Sequence, residues 1–550
     1  MQNWILALIC GFIAPGAAPD TLVICPPEFE SALAPWVEYR TAQGHVVQVL
    51  PNQPTAEQTR SQIHTAAKRG GLKFVLLIGD AAPPGASTRT VARSVPARRL
   101  PTTVTRRWGS TTEMATDNWY ADLDGDSAPE LAIGRLTADT SAELTAMIGK
   151  IIAYEQNADF GPWRTRVNFV AGAGGFGPLA DYAIEQIARS EIASHLPQHL
   201  TTTVTYASWQ SSFCPDPRRF RDTVVERLSE GSLLWVYLGH GLPQQVAGTT
   251  LSERFLPQTI FHCDDIARLS PSKGSTIAAF LACSTGAYDQ TRDCLAEQLL
   301  RSPVGPVAVL GGSRVTMPYS MWTLGSSLVD QMFEAQRPTL GEVFMHAKRD
   351  LAPIQRRSFT SAFVHCVSRA FQDMPSDLPI WAYSTWGYQA VRCIGALPAD
   401  FQEERREHVS LFNLFGDPLM RMHYPKRFAL TVSDSERVLS IQGRSPVSGA
   451  GRIEVLIPRH RSQRLANRPH YLPGEEFFRS FETTYRQANQ SVIATATTTV
   501  TNGRVAARLQ FPRDATGEYI VRVVVDGKSD FAIGHNSIQI GGPARRTASR

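Results

Sequence analysis

Two short apolar runs in this 550-residue chain stop on side chains that can do covalent chemistry. One is Leu233-Leu-Trp-Val-Tyr-Leu-Gly-His240-Gly241; the other is Ile277-Ala-Ala-Phe-Leu-Ala-Cys283-Ser-Thr-Gly286. A thiol beside an imidazole is a nucleophile with an acid–base partner, and the thiolate is its attacking form. Each residue also has a plainer reading. Cysteine is among the most buried residue types, and histidine is often a hydrogen-bonded core imidazole. Glycine on both sides of His240 argues for the chemical reading, because it lets the backbone turn sharply and a substrate come close. The backbone N–H groups of Gly241 and Cys283 then stand as two donors for an oxyanion.

The elements that must deliver these residues follow from the same runs. Their length and unbroken apolar character suit strands buried on both faces of a parallel sheet, and such strands present their sites at one common edge. The 43 residues between His240 and Cys283 leave room for a crossover connection. Strands alternate with helices before these runs (Thr21 to Cys25, Glu28 to Gln43, His45 to Leu50, Thr55 to Lys68, Phe74 to Ile78) and after them. The predicted fold class is therefore α/β, a mostly parallel sheet covered by helices, in two lobes spanning 19–160 and 161–425 that part near Pro162-Trp163. From 426 to 541 short alternating runs replace helical periodicity, which predicts an immunoglobulin-like β-sandwich. Residues 542–550 read as a disordered tail.

Residues 4–14 (WILALICGFIA) lead into Gly16-Ala17-Ala18, a pattern of an exported chain with a signal peptide over 1–18, although no basic residue opens it. The first strand follows at once, so no long pro-segment is expected. No later run is long enough for a transmembrane helix. A net charge of +5 without a Lys/Arg stripe gives no sign of a nucleic-acid partner. Of eight cysteines, one lies in the leader and seven are scattered, which is not a disulfide framework.

Two further motifs invite a ligand. Gly172-Ala-Gly174-Gly-Phe-Gly177 matches a dinucleotide fingerprint, but the next strand ends in Ser208-Trp209 where an acid is required, so the glycines read as a tight turn. Asp122, Asp124 and Asp126 alternate around Gly125 in a spacing that suits Ca²⁺. A solvated acidic turn is the commoner outcome of such spacing, and an EF-hand is excluded by Ile133 at its last position; Glu130 or carbonyls would have to complete the cage. No cofactor is required by thiol chemistry.

Several stretches together resemble the gingipain-type cysteine peptidases, relatives of the caspase-like proteases. They are Tyr39-Arg-Thr-Ala-Gln-Gly44, Val75-Leu-Leu-Ile-Gly-Asp80, Asp117-Asn-Trp-Tyr120, Ile133-Gly-Arg-Leu136, Gly239-His-Gly241, Ala282-Cys283, Leu295-Ala-Glu297 and Phe415-Gly-Asp-Pro418, in the family's order over roughly residues 21–424. The resemblance implies a secreted endopeptidase acting on proteins or peptides, with Cys283 as nucleophile, His240 as general acid, and Gly241 and Cys283 as oxyanion donors. It places Asp181 at the base of a pocket for Arg or Lys and Tyr319 on that pocket's wall. It also puts Ala173 where relatives carry an acid that orients the histidine, a departure that should weaken catalysis rather than abolish it. Two other functions remain open: a sortase-like transpeptidase using the same dyad, and a binding protein on a degenerate peptidase fold.

Overall fold

The computed structural model describes residues 18–157, 159–172, 195–208, 211–247, 259–270, 274–352, 400–435, 437–461, 474–512 and 515–541. The leader, Ala173, Asp181, most of the glycine-rich turn with the helix expected after it, and the tail lie outside the described residues. The apolar runs become strands β1 (Thr21–Cys25), β2 (Val47–Pro51), β3 (Phe74–Ile78), a hairpin of β4 (Arg98–Pro101) with β5 (Glu113–Thr116), and β6 (Ala132–Leu136). They continue as β7 (Arg166–Ala171), β8 (Thr201–Tyr206), β9 (Leu234–Leu238), the short β10 (His240–Leu242), β11 (Gln245–Ala247) and β12 (Thr259–His262), then β13 (Ile277–Leu281), β14 (Ala308–Gly312) and β15 (Phe412–Phe415).

Ten of these form one sheet in the order β2-β1-β3-β6-β15-β14-β13-β9-β7-β8. Central strands such as TLVIC, FVLLI and IAAFL are buried at every residue, the signature of a sheet covered on both faces. Every neighbouring pair is parallel except β14 with β15. That one antiparallel pair means the two lobes run in opposite directions within a single sheet. Within the second lobe the chain order reverses between β7 and β9, and open sheets place ligands outside the strand ends at such a reversal. His240 follows β9 directly.

The quoted motifs find one another across this frame. Arg40, fully buried on the first helix (Glu30–Ala42), is gripped by Glu155 at 2.8 Å and by Asp417 at 2.6 Å, and Trp36 Nε1 donates to the same Asp417 carboxylate at 2.5 Å. Burial pushes Glu155 up, but the Arg40 guanidinium outweighs it and holds the carboxyl below its ordinary range. Arg135 makes a bidentate pair with Asp117 at 2.7 and 2.8 Å, and Tyr288 donates to Asp117 at 3.0 Å. Asp80 meets Glu297, and burial followed by the Glu297 charge raises the Asp80 carboxyl well above its usual range. These motif residues build the frame that the site stands on.

The last part of the chain is a seven-stranded β module: β16 (Lys426–Ser435), β17 (Val438–Arg444), β18 (Gly449–Leu456), β19 (Val492–Val500), β20 (Arg504–Gln510), β21 (Gly517–Asp526) and β22 (Phe531–Ile540). Strand β16 pairs parallel with β22 over its first residues and antiparallel with β17 over the rest. It therefore passes from a layer of β22, β21, β18 and β19 to a layer of β17 and β20, with Ile441, Ile453, Val455 and Val521 between them. One expectation fails here. Helical periodicity is not absent, because Glu475–Asn489 is a 15-residue helix. Its Phe477 and Phe481 join the core of the large α/β sheet rather than that of the module. Asn489 accepts from the Val204 N–H at 2.7 Å and donates to the Val204 carbonyl at 3.0 Å, so it closes the open edge of β8.

Candidate active site

Strands β9 and β13 are adjacent and parallel, and Leu238 is level with Leu281. His240 and Cys283 each lie two residues further on. Adjacent strands are about 4.8 Å apart, so the register brings imidazole and thiol to one edge at one level. The approach is close: a methyl group on Gly241 would strike the Cys283 carbonyl oxygen and lie 2.9 Å from Ala282 Cβ and 3.0 Å from Thr285 Cγ2. Gly239 adopts φ +151°, with the Tyr237 hydroxyl and the Gly172 backbone crowding the place a side chain would take. Both glycines are required by the fold around the histidine. Tyr237, fully buried, has its hydroxyl 3.0 Å from both the His240 and the Ala247 carbonyls, which share its one proton; burial, and then the nearness of Cys283, raises its hydroxyl well above the ordinary range.

The cysteine turn is held from the far side by the segment after β14. Ser284 has φ +56°, unusual outside glycine, and its N–H donates to the Arg314 carbonyl at 2.9 Å. Arg314 is anchored in turn by a bidentate pair with Asp289 at 2.7 and 2.8 Å. Thr316 then reaches the sulfur itself: its N–H donates to Cys283 Sγ at 3.3 Å, and its hydroxyl lies 3.6 Å away. The next N–H, of Met317, donates to Nε2 of the buried His408 at 2.6 Å, while His408 Nδ1 donates to the Glu404 carbonyl at 2.7 Å. Helix Asp400–Leu411 thus fixes the start of helix Pro318–Phe333, whose preceding residues touch the thiol. Sequence reasoning passed over Thr316, Arg314 and His408. The signal was the end of the buried strand at Gly311-Gly312, which finishes at the same edge as the other two.

Among the described residues five cysteines are free, and Cys283 alone is partly exposed. Burial pushes the Cys25 and Cys263 thiols up to about 12 and raises Cys294 as well, which disfavours their thiolates. His240 is exposed. Tyr319 lies in the first turn of helix Pro318–Phe333, immediately after the residues that meet the thiol. Ala173 and Asp181 fall outside the described residues.

The acidic loop differs from expectation in one member. Oxygens of Asp122, Asp124 and Glu130 lie within 4.8 Å of one another, and Asp126 is not among them. All four carboxylates accept backbone N–H groups of the loop: Asp122 from Gly125 and Ser127, Asp124 from Asp126, Glu130 from Leu123 and Asp126 from Ala128. Burial, then the neighbouring aspartates, raises the Glu130 carboxyl. Three converging carboxylates are a donor set that fits a hard cation such as Ca²⁺.

The family model of peptidase family C25 matches residues 14–423. The chain belongs to peptidase family C25. Among curated relatives, gingipain R2 of Porphyromonas gingivalis is 23% identical over 306 residues, covering 53% of this chain and 36% of the relative. Lys-gingipain of the same organism is 25% identical over 145 residues, 24% of this chain and 7% of its own length. The chain thus spans about a third or less of these relatives. The crystal structure of the Arg-specific cysteine proteinase gingipain R superposes with a TM-score of 0.52 at 16% identity, covering 94% of this chain and 97% of the other. That likeness establishes a gingipain-like fold. Among the described residues no helix is long and apolar enough to cross a membrane.

Proposed function

We propose that this member of family C25 is a cysteine endopeptidase working through a Cys283–His240 dyad. The observation that carries the reading is the register: the one partly exposed thiol among the described residues stands level with a glycine-flanked histidine on the neighbouring parallel strand. The Cys283 thiolate attacks the scissile carbonyl, and the backbone N–H groups of Gly241 and Cys283 receive the oxyanion. The C–N bond breaks as His240 passes a proton to the leaving amine. Water then adds to the thioester, its proton goes to His240, and the carboxylate product leaves.

Cleavage after Arg or Lys is part of the proposal. The resemblance of Asp181 and Tyr319 to pocket residues supports it, as does the likeness to an Arg-specific cysteine proteinase, gingipain R, and to Lys-gingipain. So is export through the leader, and a structural Ca²⁺ held by Asp122, Asp124 and Glu130; no step of the chemistry passes through that ion. The test is labelling with Arg and Lys peptidyl chloromethyl ketones followed by peptide mapping. An adduct on Cys283, slowed in His240→Ala, is expected; an unlabelled Cys283 in folded protein refutes the dyad. Adding glycine amide during peptide turnover separates hydrolysis, which gives the free acid, from transpeptidation, which gives the amide-extended product.

A further inference from the structure

The joint between the second lobe and the β module is lined by several basic side chains. A cleft there is lined by Arg164, His199 and His423 from the lobe and by Arg427 from the module, with apolar walls that include Leu233 and Phe333. No carboxylate lines it. Arg164 is 2% exposed. Its Nε donates to the Asp159 carbonyl at 3.1 Å and its Nη2 to the Asn157 carbonyl at 3.2 Å, while Nη1 has no partner among the described residues. The guanidinium lies against the rings of Tyr154, Phe160 and Trp163; the nearby Asp159 and the Tyr154 hydroxyl favour its charge, but burial outweighs them and holds it below the usual arginine range. A buried charge that its neighbours only partly offset favours an anion beside it.

The other groups around the cleft are incomplete in the same way. His199 is 6% exposed and its Nδ1 has no partner among the described residues; the same holds for His423 Nε2. His199 stacks on His535 at 5.0 Å, and Arg522, Arg427 and Arg459 also face it. Burial first, and then these cations, lower its pKa to about 3, so its imidazole is neutral and one ring nitrogen can donate. Arg522 is answered by Glu454 and Arg427 is exposed, which leaves Arg164 as the buried charge facing the cleft.

We propose that this cleft is an anion site that binds a small inorganic monoanion of halide size between Arg164, His199 and His423, behind Arg427. Size and lining choose the class. The enclosed room is that of about one or two water-sized species, and the walls are largely apolar. A weakly hydrated monoanion fits such a place; a phosphate, with four oxygens to satisfy, does not. The bound ion cements the joint, because its ligands come from both sides of it.

The test follows thermal unfolding of the full chain at constant ionic strength while sodium gluconate is replaced by sodium bromide. A saturable rise in Tm of roughly 1–3 °C is expected in bromide. Arg164→Gln abolishes the rise, and Arg427→Gln, a change at an exposed position, shifts its midpoint to several-fold higher bromide. Bromide-soaked crystals of the unmodified chain show an anomalous peak within hydrogen-bond distance of Arg164 Nη1, which tests the site without any substitution. A cleft that holds only water in those crystals, or a Tm that does not distinguish bromide from gluconate, overturns the proposal. Neither readout involves peptide cleavage, so the result stands apart from the dyad's.

Discussion

Cys283 Sγ receives two donors from Thr316, and their geometry ranks them. The backbone N–H is nearer, at 3.3 Å, whereas the hydroxyl is at 3.6 Å and also lies 2.9 Å from Met321 Sδ. A well-formed hydrogen bond to a charged group contributes about 1.5–3 kcal/mol, and one this long contributes less. Thr316→Val should therefore lower kcat/KM by less than about tenfold, with Tm nearly unchanged, because the N–H stays. Gly241→Ala should behave oppositely: its methyl strikes the Cys283 carbonyl, so kcat/KM should fall by roughly a hundredfold or more as the two strand ends are pushed apart, a loss on the scale of positioning effects. Parallel peptide kinetics and melting curves on both variants check this pair. The positions of His240 and Cys283 just past two neighbouring strand ends were legible in the sequence because each ends an apolar run beside small residues. Thr316 was not, since its role depends on a third strand reaching the same edge, which no local pattern states.

At the scale of elements, the fold is held by pairs that lie far apart in the chain. Removing Asp417 leaves Arg40 buried with only part of its counter-charge, and breaking such a pair costs about 3–5 kcal/mol. Asp417→Ala should show that loss in urea denaturation even though Asp417 is not part of the thiol site. Helix Asp400–Leu411 adds a pH dependence through His408, whose pKa burial lowers from 6.5 to about 4. The unfolded chain takes up this proton first, so the contribution to stability is complete above about 6.5 and is lost as pH falls toward 4. Tm should drop across that window, and His408→Gln should flatten the drop by about one proton's share. The conserved-looking order of motifs was readable as a set, but their pairing was not. Arg40 meets Asp417 because β15, which Asp417 follows, lies between the lobes, antiparallel to one and parallel to the other.

For the whole molecule, the β module is fastened to the second α/β lobe through the helix Glu475–Asn489. Phe481 is fully buried in the lobe's core, so Phe481→Ala should cost about 3–5 kcal/mol and lower the Tm of the whole chain rather than of the module alone. Scanning calorimetry distinguishes the two results. The sandwich itself was visible as alternating runs, whereas this helix was overlooked. Its signal was present: Phe477, Phe481 and Tyr485 recur every four residues along one face, and all three are buried. The segment was read with the strands around it because those strands dominate the composition. Calcium belongs to this scale too. Chelation should lower Tm, and Asp124→Asn should remove the response, if the three carboxylates hold an ion.

The most direct measurement of the central claim is cleavage of fluorogenic peptides ending in Arg, Lys, Asp or Leu by the unmodified chain and by Cys283→Ala, in reductant and calcium. The account predicts turnover after Arg or Lys that disappears in Cys283→Ala while the melting curve stays in place. Turnover that survives the substitution would contradict it.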